Sequence, residues 1–376
     1  MTDPVFWIAA ACLGLLVFVR LFFWLFVFTG WWKHSKRAKI NTDLPPVSVI
    51  IAARNEENNL RQHLPAVLEQ DYPEYEVIVV DDCSDDNSRE VLNRFALDSD
   101  KLYVTWVPEA GKFRRGKKVA LSIGIRAANY EHLVFIDADC YPASKNWLRY
   151  MAGSFHKGGE IVLGYGAYEH KQGLLNALVR YDTLLIAMMY GGMATRIKPY
   201  MGVGRNLAYK KSLWQNRGGF KGFNNVLSGD DDLFVNACAS RKNTAVIFLP
   251  EAKTISKPPA DIKTWIKQKS RHITSSKYYK AWQRFLLAAE PLSRSITPFV
   301  LVGIYCLYPE CIYMYILIAV WVFLKLIQFF VLHKSRKYTG EKRLFTYFPL
   351  IDLLLPFFYV IFVLVRIRQR NYIVWK

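Results

Sequence analysis

Short apolar runs alternate with amphipathic stretches through the middle of this chain, and long apolar runs occupy both ends. A continuous apolar run of strand length, bounded by polar turn residues, predicts a strand buried on both faces. Such runs fall at 47–53, 77–81, 103–107, 133–137, 161–164 and 245–249. Between them, helical periodicity predicts helices over 59–70, 88–96, 117–128 and 144–155, with Ser88 as an N-cap behind the turn residues Asp85, Asp86 and Asn87. The alternation gives βαβ units, hence an α/β fold built on a Rossmann-like, mostly parallel sheet.

The ends read differently. Residues 5–32 are almost wholly apolar and long enough to span a bilayer. The bases Lys33, Lys36, Arg37 and Lys39 follow this run rather than precede it, which argues against a cleaved signal peptide and places the N-terminus outside. Arg20 within the run must snorkel or face a partner helix. Near the other end, apolar runs fall at 296–307, 311–332 and 345–365: the middle one predicts a transmembrane helix, the first carries Pro298 and needs flanking residues to cross, and the last, with Pro349 and Pro356, is open to either crossing or re-entry. Ahead of them, 261–284 mixes bases with aromatics, including Lys263, Trp265, Lys267 and Trp282, a composition suited to the bilayer interface. One conflict stands. The basic loop 333–343 and the basic tail 366–376 both favour the cytoplasm, yet a single crossing between them would separate them. The expected organisation is an N-terminal membrane helix with its basic run (1–40), a cytoplasmic α/β domain (41–260), an interfacial segment (261–290), and C-terminal membrane segments with a basic tail (291–376).

Composition supports this frame. The chain is 52% hydrophobic and 22% charged, too apolar for an ordinary soluble protein and too charged to be membrane throughout. Its formal charge of +19 clusters beside the apolar runs, which favours a membrane surface as partner. No nucleic-acid-binding motif accompanies the charge, so no nucleic acid is expected as a partner. The cysteines, Cys12, Cys83, Cys140, Cys238, Cys306 and Cys311, form no CxxC pair and read as scattered reduced thiols, consistent with a cytoplasmic soluble part.

The candidate chemistry lies where strands stop. In an open parallel sheet, ligands bind at the carboxyl ends of the strands. The first strand ends at Arg54-Asn55-Glu56, the second at Asp81-Asp82, and the fourth at Asp137-Ala138-Asp139. Two carboxylates on alternate residues can hold one hard divalent cation, which in turn can carry a nucleotide's diphosphate. The segment 111–118 precedes a helix and offers glycines and lysines to an anion, although Lys118 stands where a P-loop requires Ser or Thr. A later cluster, Asp230-Asp231-Asp232, opens another helical run. One of these carboxylates can cap that helix while its neighbour acts as a base, so Asp230 and Asp231 are both candidate catalytic residues. Gln268 and Arg271 lie in the basic-aromatic segment, where Arg271 can pair with diphosphate oxygens.

Taken in order, these motifs resemble the family 2 glycosyltransferases of GT-A fold, especially the membrane-integrated branch that includes polysaccharide synthases, ceramide glucosyltransferase and carotenoid glycosyltransferases. The resemblance covers residues from about 45 to 275 and extends loosely to the flanking spans. It implies that Asp81 and Asp82, with Glu56 nearby, contact the donor nucleoside. It implies that Lys117, in Gly116-Lys117-Lys118-Val119-Ala120-Leu121, lies near the nucleotide, and that Asp137 and Asp139 form the DxD motif holding Mg or Mn on the donor diphosphate. Asp230 matches the general base, and Gln268 and Arg271 match the QxxRW motif over diphosphate and acceptor. The family inverts the anomeric centre by direct displacement.

Two positions depart from the processive synthases: Gly229 stands where they carry Glu, and His272 where they carry Trp. The departures favour a single transfer from a nucleotide-sugar, expected to be a UDP-sugar, to a lipid or lipid-linked acceptor. The site would face the cytoplasm on a multi-pass protein of the inner (plasma) membrane. Two other readings remain open at this stage: a processive synthase that extrudes a glycan, and a catalytically silent scaffold of the same fold.

Overall fold

The computed structural model describes residues 3–37, 44–108, 116–224, 226, 228–309, 313–342 and 347–368. The chain opens with helix α1 (Pro4–Leu21), passes through a π-helical stretch at Phe22–Val27, and ends this first arm in α2 (Trp32–Arg37). Arg20 finds a partner helix: its guanidinium donates to Gln328 Oε1 at 2.9 Å, both side chains being buried.

The alternating region then folds as β1 (Val47–Ala53), α3 (Glu57–Leu68), β2 (Tyr75–Asp81), α4 (Ser88–Asp98), β3 (Leu102–Trp106), α5 (Lys117–Ala127) and β4 (His132–Phe135). β1, β2, β3 and β4 pair in parallel, in the spatial order β3-β2-β1-β4. The two-residue period of β1 divides its side chains between two cores. Ile50 and Ala52 share one core with Leu121 and Ile125 of α5, while Val49 and Ile51 share the other with Leu60 and Leu64 of α3. This two-sided burial explains why the strand's sequence is apolar throughout.

After β4 come β5 (Cys140–Pro142), α6 (Trp147–Ala152), β6 (Ile161–Gly164), β7 (Gly166–Tyr168), α7 (Leu174–Arg196), β8 (Leu207–Lys210), α8 (Lys211–Asn216), α9 (Asp232–Cys238), β9 (Thr244–Ile247) and β10 (Thr254–Ser256). β8 inserts antiparallel between β4 and β6, and β9 closes the seven-stranded sheet beside β6. Leu207 opens β8 opposite Phe135, the last residue of β4. The turn before β8 therefore lies at the edge where the parallel strands end. A smaller sheet, β5-β10-β7, continues from that edge.

The expected strand over 133–137 ends early, so Asp137 stands two residues beyond β4 and is free to enter the cleft. The expected helix over 144–155 shrinks to α6, followed by a 3₁₀ stretch at Gly153–Gly158.

α7 is buried along most of its length and lies against the first arm. Phe23, Trp24, Val27, Phe28 and Trp31 of that arm belong to the same core as Ile50 and Ile78 of the sheet, so the arm's inner half is part of the domain's packing. Contact is backbone to backbone: a Cβ added at Gly192 would stand 2.0 Å from the carbonyl oxygen of Val27. Gly192→Val should force the helices apart, cost ~1–3 kcal/mol or more by overpacking, and lower the thermal midpoint of the detergent-purified protein. An unchanged midpoint would mean that the arm docks elsewhere.

The C-terminal part is α10 (Ile262–His272), a 3₁₀ stretch at Ile273–Tyr278, α11 (Ala281–Leu307), α12 (Tyr313–Thr339) and α13 (Phe348–Arg368). α11 runs unbroken through Pro291 and Pro298, far longer than the expected 296–307. Among the described residues, four helical segments are long and apolar enough to cross a membrane: Pro4–Ser35, Ala281–Leu307, Tyr315–Thr339 and Leu350–Arg368. Of the aromatics expected at the bilayer, Trp265 is instead fully buried against Phe358 and Phe362 of α13, whereas Trp282 is exposed.

Candidate active site

β1, the start of α5, the end of β4, the turn before β8 and the approach to α9 line one cleft. Its floor is apolar, formed by Ile50, Leu121, Phe135, Leu207 and Tyr209, and its polar lining is Lys117, Asp137, Asp230 and Asp231.

The loops after β1 and β2 are stitched together. Asn55 holds φ at 54°, a left-handed conformation that asparagine tolerates, and its backbone N–H donates to Ser84 Oγ at 2.9 Å. Its side-chain oxygen accepts from Asp85 N at 2.8 Å. Asp81 and Asp82 are both buried at this junction; Ser84 donates to Asp81 through its hydroxyl, and Asp82 N bonds Ala53 O at 2.8 Å. Glu56 accepts from Asn59 at 2.6 Å. Burial, and then the negative charge of Asp139, Asp137 and Asp86, pushes its carboxyl up to about 7.

Lys117 is the centre of the site. It opens α5, and its ammonium lies 2.7 Å from Asp137 Oδ1 and 3.2 Å from Asp230 Oδ2. Burial works against its charge, but the carboxylates of Asp137, Asp230 and Asp231 outweigh burial and hold the ammonium firmly protonated. Burial likewise works against an ionised Asp230, and Lys117 and Lys118 outweigh it, holding this carboxyl below the usual carboxylate value. Lys118 donates to the carbonyl of Ser228 at 2.6 Å and so fixes the loop that leads to Asp230. The first part of the expected anion loop, 111–115, lies outside the described residues.

The three adjacent carboxylates have separate tasks. Asp231 caps α9, accepting from Asp232 N and from Gly204 N, both at 2.7 Å. Burial, reinforced by Asp230 and Asp232, pushes its carboxyl up to about 7. Asp232 accepts from Tyr279 at 2.7 Å and ties α9 to the segment after α10. Asp230 differs from both: it is the one of the three held below the usual carboxylate value, and it shares Lys117 with Asp137.

Gly229 explains its own departure from the synthase pattern. Its φ is 101°, and a Cβ there would stand 2.6 Å from Leu233 Cδ1. Gly229→Glu should therefore cost ~1–3 kcal/mol of backbone strain and displace Asp230, lowering both the thermal midpoint and any transfer rate. A variant as stable as the parent would show that the loop relaxes freely.

Asp139 stands at the open side of the cleft, its Oδ1 accepting from the Cys140 thiol at 3.2 Å. Surrounding protein and then the neighbouring Asp137 push its carboxyl up. Among the described residues no group of three or more His, Cys, Asp or Glu could hold a metal ion unaided. Asp137 and Asp139 nevertheless fit a hard divalent cation whose remaining ligands are phosphate oxygens and water, because Mg and its like are typically held by one or two carboxylates plus substrate phosphates.

Arg205 stands within electrostatic reach of Asp137 and Asp139. Gln268 exchanges hydrogen bonds with Tyr168 OH, at 3.1 and 3.3 Å. Arg205 lies over the Tyr168 ring, 4.5 Å from its centroid, and donates to Ser256 Oγ at 2.8 Å. His272 is solvent-exposed. Neighbouring protein, followed by the charges of Arg271, Lys269, Arg205 and Lys117, pushes its imidazole below the ordinary value. The structure thus brings together Lys117, Asp137, Asp230 and Asp231, places Glu56 and Asp139 within electrostatic reach of them, and sets Gln268 and Arg271 on α10 near the same cations.

Sequence reasoning missed Gly204, Arg205 and Tyr168. A Cβ on Gly204 would sit 3.1 Å from Lys117 Nζ, so the cleft floor has no room for a side chain there. The doublet Gly202-Val203-Gly204 was the available signal, but its third glycine is missing for a dinucleotide motif and it pointed nowhere by itself.

The sequence profile described as "Glycosyl transferase family 2" matches residues 48–220, which include β1 through β8 and the DxD pair. The chain carries a family 2 glycosyltransferase domain. The probable glycosyltransferase YdaM of Bacillus subtilis is 28% identical over 70% of this chain and 64% of its own length. Glycosyltransferase AglE of Haloferax volcanii is 31% identical over 51% of this chain and 60% of its own length. A poly-beta-1,6-N-acetyl-D-glucosamine synthase of Staphylococcus epidermidis is 36% identical over 25% of this chain and 21% of its own. The chain therefore spans less than two thirds of these curated relatives. Among solved structures, the mannosyltransferase PcManGT from Pyrobaculum calidifontis, in complex with GDP-Man and Mn2+, aligns with a TM-score of 0.61 at 20% identity, covering 96% of this chain and 99% of that one. This family 2 domain thus has a GT-A-like fold, with apolar helices flanking it.

Proposed function

We propose that the protein is a membrane-bound, inverting glycosyltransferase. It moves a sugar from a nucleotide-sugar to a lipid or lipid-linked acceptor at the cytoplasmic face of the inner membrane. The observation that carries this reading is Lys117 bridging Asp137 and Asp230, which couples a donor-side carboxylate to a buried, ionised one.

In this reading Asp81, Asp82 and Glu56 receive the nucleoside. Arg271 and Lys117 offer charge-assisted hydrogen bonds to the diphosphate oxygens. Asp137 and Asp139 would hold a divalent cation, Mg or Mn, whose charge neutralises the departing diphosphate. Asp230 takes the proton from the acceptor hydroxyl. The acceptor oxygen bonds the anomeric carbon as the bond to the diphosphate oxygen breaks, and that bonding pair leaves with the nucleoside diphosphate. Lys117 keeps Asp230 ionised, and Asp231 holds the base in place by capping α9. A UDP-sugar is the first donor to test, and GDP-mannose, the ligand of the Pyrobaculum enzyme, the second.

A processive synthase is the second reading, favoured by the partial match to the Staphylococcus synthase and opposed by His272 in place of the synthases' Trp. Purified protein with its native lipid extract, labelled nucleotide-sugars and Mn or Mg separates the two. A discrete labelled lipid on thin-layer chromatography is the expected product. A large labelled polymer on gel filtration would overturn the single-transfer reading.

A further inference from the structure

We propose that α13 does not cross the membrane. It lies in the membrane interface on the side of the catalytic domain, leaving α1, α11 and α12 as the crossing helices. The proposal does not depend on the glycosyl-transfer reading.

The contacts of α11 and α13 differ in kind. α11 touches the domain near its start, where Gln283 bonds Asn236 of α9 at 3.1 Å, and its far end meets the beginning of α1, with Tyr308 on Asp3 and on the Phe6 ring. It leaves the domain and stays away. α13 never leaves. Asp352 accepts from Tyr181 of α7 at 2.9 Å, Tyr359 donates to Asp182 of α7 at 2.9 Å, and the carbonyl of Phe362 accepts from Ser270 of α10 at 3.3 Å. From Asp352 to Phe362 the axis advances ~15 Å at a helix's 1.5 Å per residue, and the helix rests on the domain along that whole length.

Its level relative to α11 also stays constant. Arg294 donates to Asp352 at 3.2 Å and lies 5.8 Å from the ring centroid of Tyr359, two turns further along α13. A helix rising beside α11 would pair these two residues with different turns of it. α13 therefore passes across α11.

The occupant of its outer face is lipid. Leu353, Phe357, Val360 and Leu364 form an exposed apolar stripe. That stripe is continuous with the lipid-facing helices through α11, which packs against α13, and it ends at the bases Arg366 and Arg368, whose charges belong at headgroup level. This placement also removes the charge conflict in the sequence. The basic loop after α12 and the basic tail after α13 then lie on one side of the membrane, as the distribution of lysine and arginine requires.

Protease treatment of spheroplasts expressing the full chain, with one epitope tag at each terminus, tests the topology. The N-terminal tag should be digested in intact spheroplasts, and the C-terminal tag only after permeabilisation. Digestion of the C-terminal tag in intact spheroplasts would overturn the proposal, as would protection of both tags. Spin labels on Leu353→Cys, Phe357→Cys, Val360→Cys and Leu364→Cys, in an otherwise cysteine-free full chain in bilayers, give a second reading. An in-plane helix places all four at nearly one depth. A depth gradient approaching ~16 Å, the rise over that interval, would overturn the proposal.

Discussion

Replacing Asp230 with Asn should lower the transfer rate by roughly 10²–10⁴-fold, the usual share of general acid–base catalysis, while nucleotide-sugar binding persists. The asymmetry follows from the geometry. Asn keeps the size of Asp, and Lys117 keeps its 2.7 Å bond to Asp137, so the donor side stays assembled. What is lost is the one carboxylate of the three that its neighbours hold below the usual carboxylate value, the other two being pushed up by burial. Because Lys117 and Lys118 hold Asp230 below the ordinary carboxylate value, the base is lost only as pH falls through that lowered range. A rate that collapsed already near pH 7 would point to Asp231 instead, whose carboxyl stands at about 7. Steady-state kinetics and donor titration on the same preparation check both outcomes.

Replacing Asp139 with Ala should weaken Mn-dependent donor binding by about 100-fold, ~2.8 kcal/mol at 1.4 kcal/mol per factor of ten. Asp139 is the more open of the DxD carboxylates: Asp137 is engaged by Lys117, whereas Asp139 accepts from the thiol of the residue beside it. Removing it should leave metal-independent binding of the nucleoside, which the proposed reading assigns to Glu56, Asp81 and Asp82. Calorimetric titration of the nucleotide-sugar with and without Mn reads the difference directly. Equal affinities in parent and variant would remove Asp139 from the metal site.

Much of this site is visible in the sequence because a parallel sheet places its chemistry where apolar runs stop. Glu56, Asp82 and Asp137 each follow such a run, and β1 and β6 fall on the expected residues. Residues that act through tertiary contact are not visible in this way. β8 is four residues long and antiparallel, and its place between β4 and β6 depends on partners distant in sequence. The turn before it, with Gly204 and Arg205, was missed for the same reason. α7 is buried on nearly every face, so its sequence has no amphipathic stripe to mark it as a domain helix. Read from its residues alone, the cluster leaves both Asp230 and Asp231 as candidates, and the family resemblance points to Asp230. What the sequence does not show is that Asp231 accepts the backbone N–H groups of Asp232 and Gly204.

The departures from the synthase pattern are also physical. Gly229 is required by a left-handed backbone and by Leu233 beneath it, and this geometry brings Asp230 to Lys117 without help from a glutamate. His272 is a solvent-exposed residue at the end of α10 and a smaller group than the indole of the synthases.

The central claim is direct displacement at a single base, and the anomeric configuration of the product tests it most directly. Nuclear magnetic resonance of the glycolipid made by the purified enzyme should show the donor's configuration inverted. Retention of configuration would contradict the account, because it requires a second displacement that Asp230, acting as a base, does not provide.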